Sequence, residues 1–161
     1  MKKQWLLATL AVTLVLPTLA AFAQDNNSTL ESDIAVLRSD LRAQKTQVMT
    51  DQLKLSDAEG KTFWPIYRDY EAEMGKLNDE KVSIIKDYAN SYDTITDAQI
   101  QSLADRTFKL DDKRTALKQK YFKKISKAVS PKTAARFIQV DNRLDLLVNL
   151  QIADAVPMLA K

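Results

Sequence analysis

The segment from Leu55 to Tyr70 constrains the fold most, because it joins a helix start signal to a long apolar stripe. Ser56 can accept a hydrogen bond from a backbone N–H of the first turn, and Glu59 can accept one in return, which forms a capping box. Beyond this start, large apolar side chains recur at steps of four and three residues and therefore share one helix face, which has to be buried against other helices. The members of this face are Phe63, Tyr67, Tyr70, Met74 and Leu77.

Start signals of the same kind occur twice more along the chain. Thr96 is followed three residues later by Gln99, and Ser130 directly precedes Pro131, the residue type favoured at the first helical position. An earlier helix is expected over about residues 28–53, because apolar residues follow heptad spacing there. These patterns predict an all-α protein built as an elongated four-helix hairpin or bundle with coiled-coil-like seams. The apolar residues of the first helix are Leu30, Ile34, Leu37, Leu41 and Val48.

The N-terminus has the three parts of an export signal. Lys2 and Lys3 supply the positive charge, an apolar run from Trp5 to Leu16 follows, and Ala21-Phe22-Ala23 has the small-x-small pattern of a cleavage site. We therefore expect residues 1–23 to be a cleaved signal peptide and residues 24–161 to form a single helical domain in the periplasm. The chain contains no cysteine, so packing alone has to stabilise the fold in an oxidising compartment.

The composition argues against catalysis. The chain has no histidine and no cysteine, so it lacks the commonest general base and the thiol nucleophile. The same absence disfavours a tight zinc or copper site, and no acidic loop has the ligand spacing of a calcium site. We therefore expect no enzymatic activity, no metal and no cofactor. A nucleic-acid partner is not expected either, because no recognition motif is present.

Basic residues are concentrated on one stripe of the third predicted helix. Residues 106–136 carry 11 basic and 2 acidic groups, whereas residues 24–105 carry 9 basic and 16 acidic groups. The stripe either pairs with acids of the second helix, such as Asp69, Glu73, Asp79 and Glu80, or forms a binding surface for an anionic or amphipathic partner. Both alternatives can hold together. The basic stripe comprises Arg106, Lys109, Lys113, Lys120, Lys123 and Lys127.

Trp64 lies on the flank of the aromatic stripe rather than at its centre. We expect it to be partly exposed beside Pro65 and therefore available to an apolar partner. Together with the basic stripe, Trp64 completes the set of candidate client-binding residues.

The second half of the fourth helix is apolar nearly all round its axis. Such a segment is expected to be buried on several sides, either in the monomer core or against a second subunit. The residues concerned are Leu144, Leu146, Leu147, Val148, Leu150 and Ile152.

Two of the helix start signals carry a family resemblance. Leu55-Ser56-x-x-Glu59 and Ile95-Thr96-x-x-Gln99 resemble the LTxxQ motif of the Spy-like and CpxP-like periplasmic stress proteins. The order of a signal peptide, four helices and repeated start motifs also resembles that family across most of the mature chain.

The resemblance implies a cradle-shaped antiparallel homodimer that binds unfolded clients without ATP or reports envelope stress to a sensor kinase. The expected function is therefore a periplasmic ATP-independent chaperone or envelope-stress adaptor for unfolded or amphipathic proteins. The alternative is a structural, envelope-associated module whose basic stripe binds anionic lipid or lipopolysaccharide surfaces.

Overall fold

The computed structural model describes residues 43–159, and this range is helical and contains no strand. Helices account for 88% of the described residues, which confirms the predicted all-α class. The predicted signal peptide and the apolar residues Leu30, Ile34, Leu37 and Leu41 lie outside the described range. Residues 43–159 form four helices: α1, of which residues 43–53 are described, α2 over Asp57–Ser91, α3 over Asp97–Ala128 and α4 over Pro131–Ala155.

Capping boxes begin α2 and α3 at the predicted residues. The Ser56 hydroxyl accepts from the Glu59 backbone N–H at 3.4 Å, while the Glu59 carboxylate accepts from the Ser56 backbone N–H at 2.9 Å. Thr96 and Gln99 make the same reciprocal pair at 3.3 and 2.9 Å. Each box satisfies two N–H groups that a helix start otherwise leaves without partners.

A third cap begins α4, also at the predicted residue. The Ser130 hydroxyl oxygen accepts from the Thr133 backbone N–H at 3.0 Å and lies 2.9 Å from Thr133 Oγ1. Pro131 occupies the first helical position, where its missing N–H removes no helical hydrogen bond.

The three long helices run alternately up and down. Near the start of α2, Asp69 pairs with Lys124 from the end of α3, and near the end of α2, Asp87 pairs with Arg106 from the start of α3. These two contacts show that α2 and α3 form an antiparallel hairpin. The other long helix, α4, packs against α3.

The apolar core lies where α1 meets the start of α2, the end of α3 and the start of α4. Phe137 is fully buried, with its ring centroid 5.0 Å from Tyr70, 6.0 Å from Phe63 and 6.2 Å from Tyr67. Such aromatic pairs contribute roughly 0.5–1.5 kcal/mol each beyond their burial. The other members of the core cluster are Met49, Leu53, Ile66, Met74, Leu117, Tyr121, Ile125, Ala134 and Val140.

The second half of α4 rules out one of the two burial sites expected from the sequence, the monomer core, whereas burial against a second subunit stays a prediction. Leu146, Leu147 and Leu150 are 67%, 63% and 69% exposed, so they are not threaded into the monomer core. The reason is geometric, because α4 packs against α3 along one face and these leucines lie at the edge of that face or beyond it. Despite this apolar segment, no helix within residues 43–159 is both long and apolar enough to cross a membrane.

The chain beyond α4 is attached to the far end of α2. The Tyr88 hydroxyl donates to the Pro157 carbonyl at 2.9 Å, and the Tyr92 hydroxyl donates to the Met158 carbonyl at 2.7 Å. The two rings meet edge to face, with centroids 5.6 Å apart. These contacts hold the end of α4 beside the end of α2.

Candidate functional site

Three members of the basic stripe pair with acids of α2 across the α2–α3 seam. Lys113 and Lys120 lie 3.0 and 2.8 Å from carboxylate oxygens of Glu80 and Glu73, and Arg106 lies 2.6 Å from Asp87. Hydrogen bonds from Lys120 and Tyr121 lower the pKa of Glu73. These three residues therefore pair with acids of the second helix, as the first of the two alternatives for the stripe predicts. Each exposed pair stabilises the hairpin by about 0–1 kcal/mol.

The other three members of the basic stripe remain available to a partner. Lys109, Lys123 and Lys127 are exposed. No carboxylate of the described residues lies within 4.0 Å of their amino groups. Whether they bind a client stays a prediction.

Trp64 is half-buried, as its position on the flank of the stripe suggested. Its indole meets Phe63 and Tyr67 edge to face, with ring centroids 5.1 and 5.6 Å away. The pocket beside Trp64 is lined by residues 50–68 and by no residue of α3. No residue of the basic stripe therefore lines the pocket beside Trp64.

A different surface emerges between α3 and α4. A groove of about 750 Å³ runs along these two helices, and no described residue of α1 or α2 lines it. Its volume falls within the range of about 300–1,000 Å³ that is typical of ligand sites. We call this feature the α3–α4 groove.

The apolar part of the α3–α4 groove comes from both helices. Phe122 of α3 is 37% exposed, Leu146 of α4 is 67% exposed, and Ile138 between them is half-buried. Phe108 lies two heptads before Phe122 and Leu150 lies one turn after Leu146, so each continues the same helix face. Phe108 and Leu150 are 68% and 69% exposed, which extends the apolar surface beyond the groove itself.

The polar side chains at the base of the groove are bonded to one another. Lys118 lies 3.1 Å from Asp141 and 2.6 Å from Asp145, and Arg114 lies 3.1 Å from the same Asp145 carboxylate. The Tyr70 hydroxyl donates to the buried Asp141 at 2.7 Å. Burial and the Asp141 charge raise the pKa of Tyr70 well above its ordinary value, so it stays a donor. Because these polar groups bond to one another, the groove offers a ligand mainly apolar contacts.

The network makes stability depend on pH. Burial alone would raise the pKa of Asp145, but the hydrogen bond and charge of Lys118, with Arg114 and Lys45, hold it below its ordinary value. A carboxylate whose native pKa is depressed stabilises the fold above its unfolded pKa of about 4, and that contribution disappears as the pH falls through the native value.

We therefore expect the urea midpoint to be nearly constant from pH 7 to about pH 5 and to fall steadily below about pH 4. Equilibrium unfolding followed by circular dichroism at each pH measures it. In Asp145→Asn the acid-dependent fall should be smaller. Equal midpoints at pH 7 and pH 3 would contradict the depressed pKa.

Sequence reasoning found the seam and the caps but missed the groove. Phe108 and Phe122 lie off the apolar seam of α3 and are separated by 14 residues, which is two heptads. This spacing could have indicated the groove, because two phenylalanines on a second face of one helix indicate another apolar surface. The apolar residues of α4 predict burial, either in the monomer core or against a second subunit, but they do not indicate a groove between α3 and α4.

Within residues 43–159, no three carboxylates lie close enough together to hold a metal ion. Comparison with protein-family models, with curated proteins and with solved structures finds no match to this chain. Its function therefore has to be inferred from the chemistry of its own surfaces.

Proposed function

We propose that this protein is a periplasmic, ATP-independent chaperone or envelope-stress adaptor that holds unfolded or amphipathic protein segments in the α3–α4 groove. The observation that carries the proposal is the exposure of Phe122 and Leu146 in an open groove whose polar base is internally bonded. An apolar groove of this kind fits a stripe of apolar side chains on a client segment. The sequence supports the compartment, because its N-terminus has the pattern of an export signal.

The length of the apolar surface favours a polypeptide client. Phe108 and Leu150 continue it beyond the groove, so a bound segment can place several side chains along the two helices. Exposed charges of both signs border the groove, with Asp111 on α3 and Lys123 one turn beyond Gln119. A mixed rim fits clients that carry polar residues beside their apolar ones, and it does not select one sequence.

A second candidate function follows from the three lysines of the basic stripe that pair with no carboxylate of residues 43–159. Lys109, Lys123 and Lys127 are exposed on one helix, so they can approach an anionic lipid or lipopolysaccharide surface together. Each lysine near such a surface contributes about 1 kcal/mol of attraction, which salt weakens. Sedimentation with anionic liposomes at low and high salt separates this function from client capture.

Leu146 and Leu147 provide a matched test of the groove. They are adjacent, of one residue type and similarly exposed at 67% and 63%, but only Leu146 lines the groove. We expect Leu146→Ser to require several-fold more protein to suppress the aggregation of a chemically denatured model protein, measured by light scattering without nucleotide. Leu147→Ser should behave like the unmodified chain, because its side chain points about 100° away around the helix.

Both substitutions are at exposed positions, so each should change the free energy of unfolding by only about 0.5 kcal/mol or less. Urea unfolding of both variants checks this. The groove is excluded as the client surface if Leu146→Ser and Leu147→Ser suppress aggregation equally well. The chaperone function itself is excluded if the unmodified chain suppresses no aggregation at any ratio.

A further inference from the structure

A second pocket lies where α1 turns into α2, away from the α3–α4 groove. Its volume is about 620 Å³, and all its lining residues fall between Thr50 and Arg68. The pocket has one aromatic wall, formed by Trp64, and three basic side chains at its border. These basic residues are Lys54, Lys61 and Arg68.

The basic residues of this pocket differ from most of those along the α2–α3 seam. Lys54, Lys61 and Arg68 are exposed. No carboxylate of the described residues lies within 4.0 Å of their charged nitrogens. Asp57 is the single acidic residue that lines the pocket, so the lining carries a surplus of two positive charges. A basic cluster that no carboxylate of the described residues pairs with attracts an anion.

The backbone places these charges around the indole. Lys61, Trp64 and Arg68 follow one another at steps of three and four residues, so they share one face of α2. Lys54 ends α1 with a φ of 48°, the left-handed conformation that usually favours glycine, and its N–H bonds to the Thr50 carbonyl. Lys54 therefore occupies a turn position whose backbone conformation glycine adopts more readily.

Trp64 provides a fixed apolar wall. Its ring meets the buried Phe63 and Tyr67 edge to face, with centroids 5.1 and 5.6 Å away. These contacts hold one side of the indole while the rest lines the pocket. A ring held in this way can pack against a sugar ring or another flat or apolar group without losing much conformational freedom.

We propose that this pocket binds a phosphomonoester carried on a sugar ring or an apolar body. A phosphomonoester carries a charge of about −1.5 to −2 at neutral pH, which matches the surplus charge of the pocket, whereas a single carboxylate neutralises only half of it. Its oxygens accept charge-assisted hydrogen bonds from Arg68 and the lysines. The attached body packs against Trp64.

The fluorescence of Trp64 reports binding directly. The chain has two tryptophans, and the predicted cleavage removes Trp5; in an uncleaved chain, Trp5→Phe leaves the same single reporter. Three probes separate the possible sources of the phosphate: inorganic phosphate, glucose 1-phosphate, and phosphatidic acid vesicles compared with phosphatidylcholine vesicles. We expect a saturable change with glucose 1-phosphate or with phosphatidic acid, and a smaller affinity for inorganic phosphate, which lacks a body to contact Trp64.

A charge-matched pair of variants tests the site. Lys61→Gln with Arg68→Gln removes two charges from the pocket, and Lys76→Gln with Lys86→Gln removes two exposed charges from the part of α2 that lies beyond the pocket. The first variant should bind the better probe at least tenfold more weakly, while the second should bind like the unmodified chain. Circular dichroism and thermal unfolding should show both variants folded, because all four side chains are exposed.

Two results would overturn the proposal. One is the absence of a saturable fluorescence change with all three phosphate probes. The other is equal weakening in both double variants, since that would mean that net charge, and not this pocket, attracts the phosphate. Neither result affects the α3–α4 groove, because the two surfaces share no residue.

Discussion

Phe137→Ala is expected to lower the free energy of unfolding by about 3–5 kcal/mol, the usual cost of removing a fully buried aromatic ring. Phe137 is 0% exposed and touches the rings of Phe63, Tyr67 and Tyr70, so its removal leaves a cavity among three aromatic side chains. The three rings belong to α2 and Phe137 belongs to α4, so the substitution weakens the attachment of one helix to another. Urea unfolding followed by circular dichroism measures the loss.

Phe108→Ala is the matched control for this prediction. It removes the same ring from a position that is 68% exposed, so the expected change is within about 0.5 kcal/mol. A loss of less than about 1 kcal/mol in Phe137→Ala would contradict the placement of Phe137 at the centre of the core.

The second large effect is expected from Lys118→Met, at about 2–4 kcal/mol of destabilisation. Lys118 is largely buried, pairs with both Asp141 and Asp145, and its loss leaves two carboxylates close together without its positive charge. Breaking a buried ion pair by removing one partner costs about 3–5 kcal/mol, because a charge is left unneutralised. The lower range applies here because Tyr70 still donates to Asp141 and Arg114 still pairs with Asp145.

Lys124→Met provides the comparison for Lys118→Met. Lys124 also pairs with an aspartate, Asp69, at 3.1 Å, but both side chains are about half exposed at 46% and 60%. An exposed pair contributes about 0–1 kcal/mol, so this variant should unfold nearly like the unmodified chain. If the two variants lose equal stability in urea, the network at the base of the groove is not a buried one.

The caps and the main apolar stripe could be predicted because they depend on residues close together in the sequence. Ser56, Thr96 and Ser130 bond to groups only three residues away, so no knowledge of the tertiary structure is required. The pairing of the basic stripe was predicted only as an alternative, because it depends on the register of α3 against α2. Among the acids that the sequence suggests as partners, Glu73 and Glu80 pair with Lys120 and Lys113 of the stripe, and Asp69 pairs with Lys124, which lies outside it.

The α3–α4 groove could not be derived in this way. Apolar residues on several faces of a helix predict that the helix is buried. How many other helices it contacts depends on the packing of the whole chain. The network around Asp141 was missed for the same reason. Tyr70 and Asp141 are 71 residues apart in the sequence, and no local pattern indicates that a carboxylate will be buried beside a tyrosine hydroxyl.

The apolar core lies at one end of the described bundle, so we expect the two ends of the long helices to differ in local stability. On α2 the core cluster extends no farther than Met74, and on α3 it starts at Leu117. In the described parts of α2 and α3 that lie beyond the cluster, the buried apolar residues are Ile84 and Leu110. Regions with few buried apolar contacts open at a lower free energy than the global unfolding of the protein. We therefore expect the backbone amides in the far halves of α2 and α3 to exchange with solvent faster than those of the helix segments that form the aromatic core.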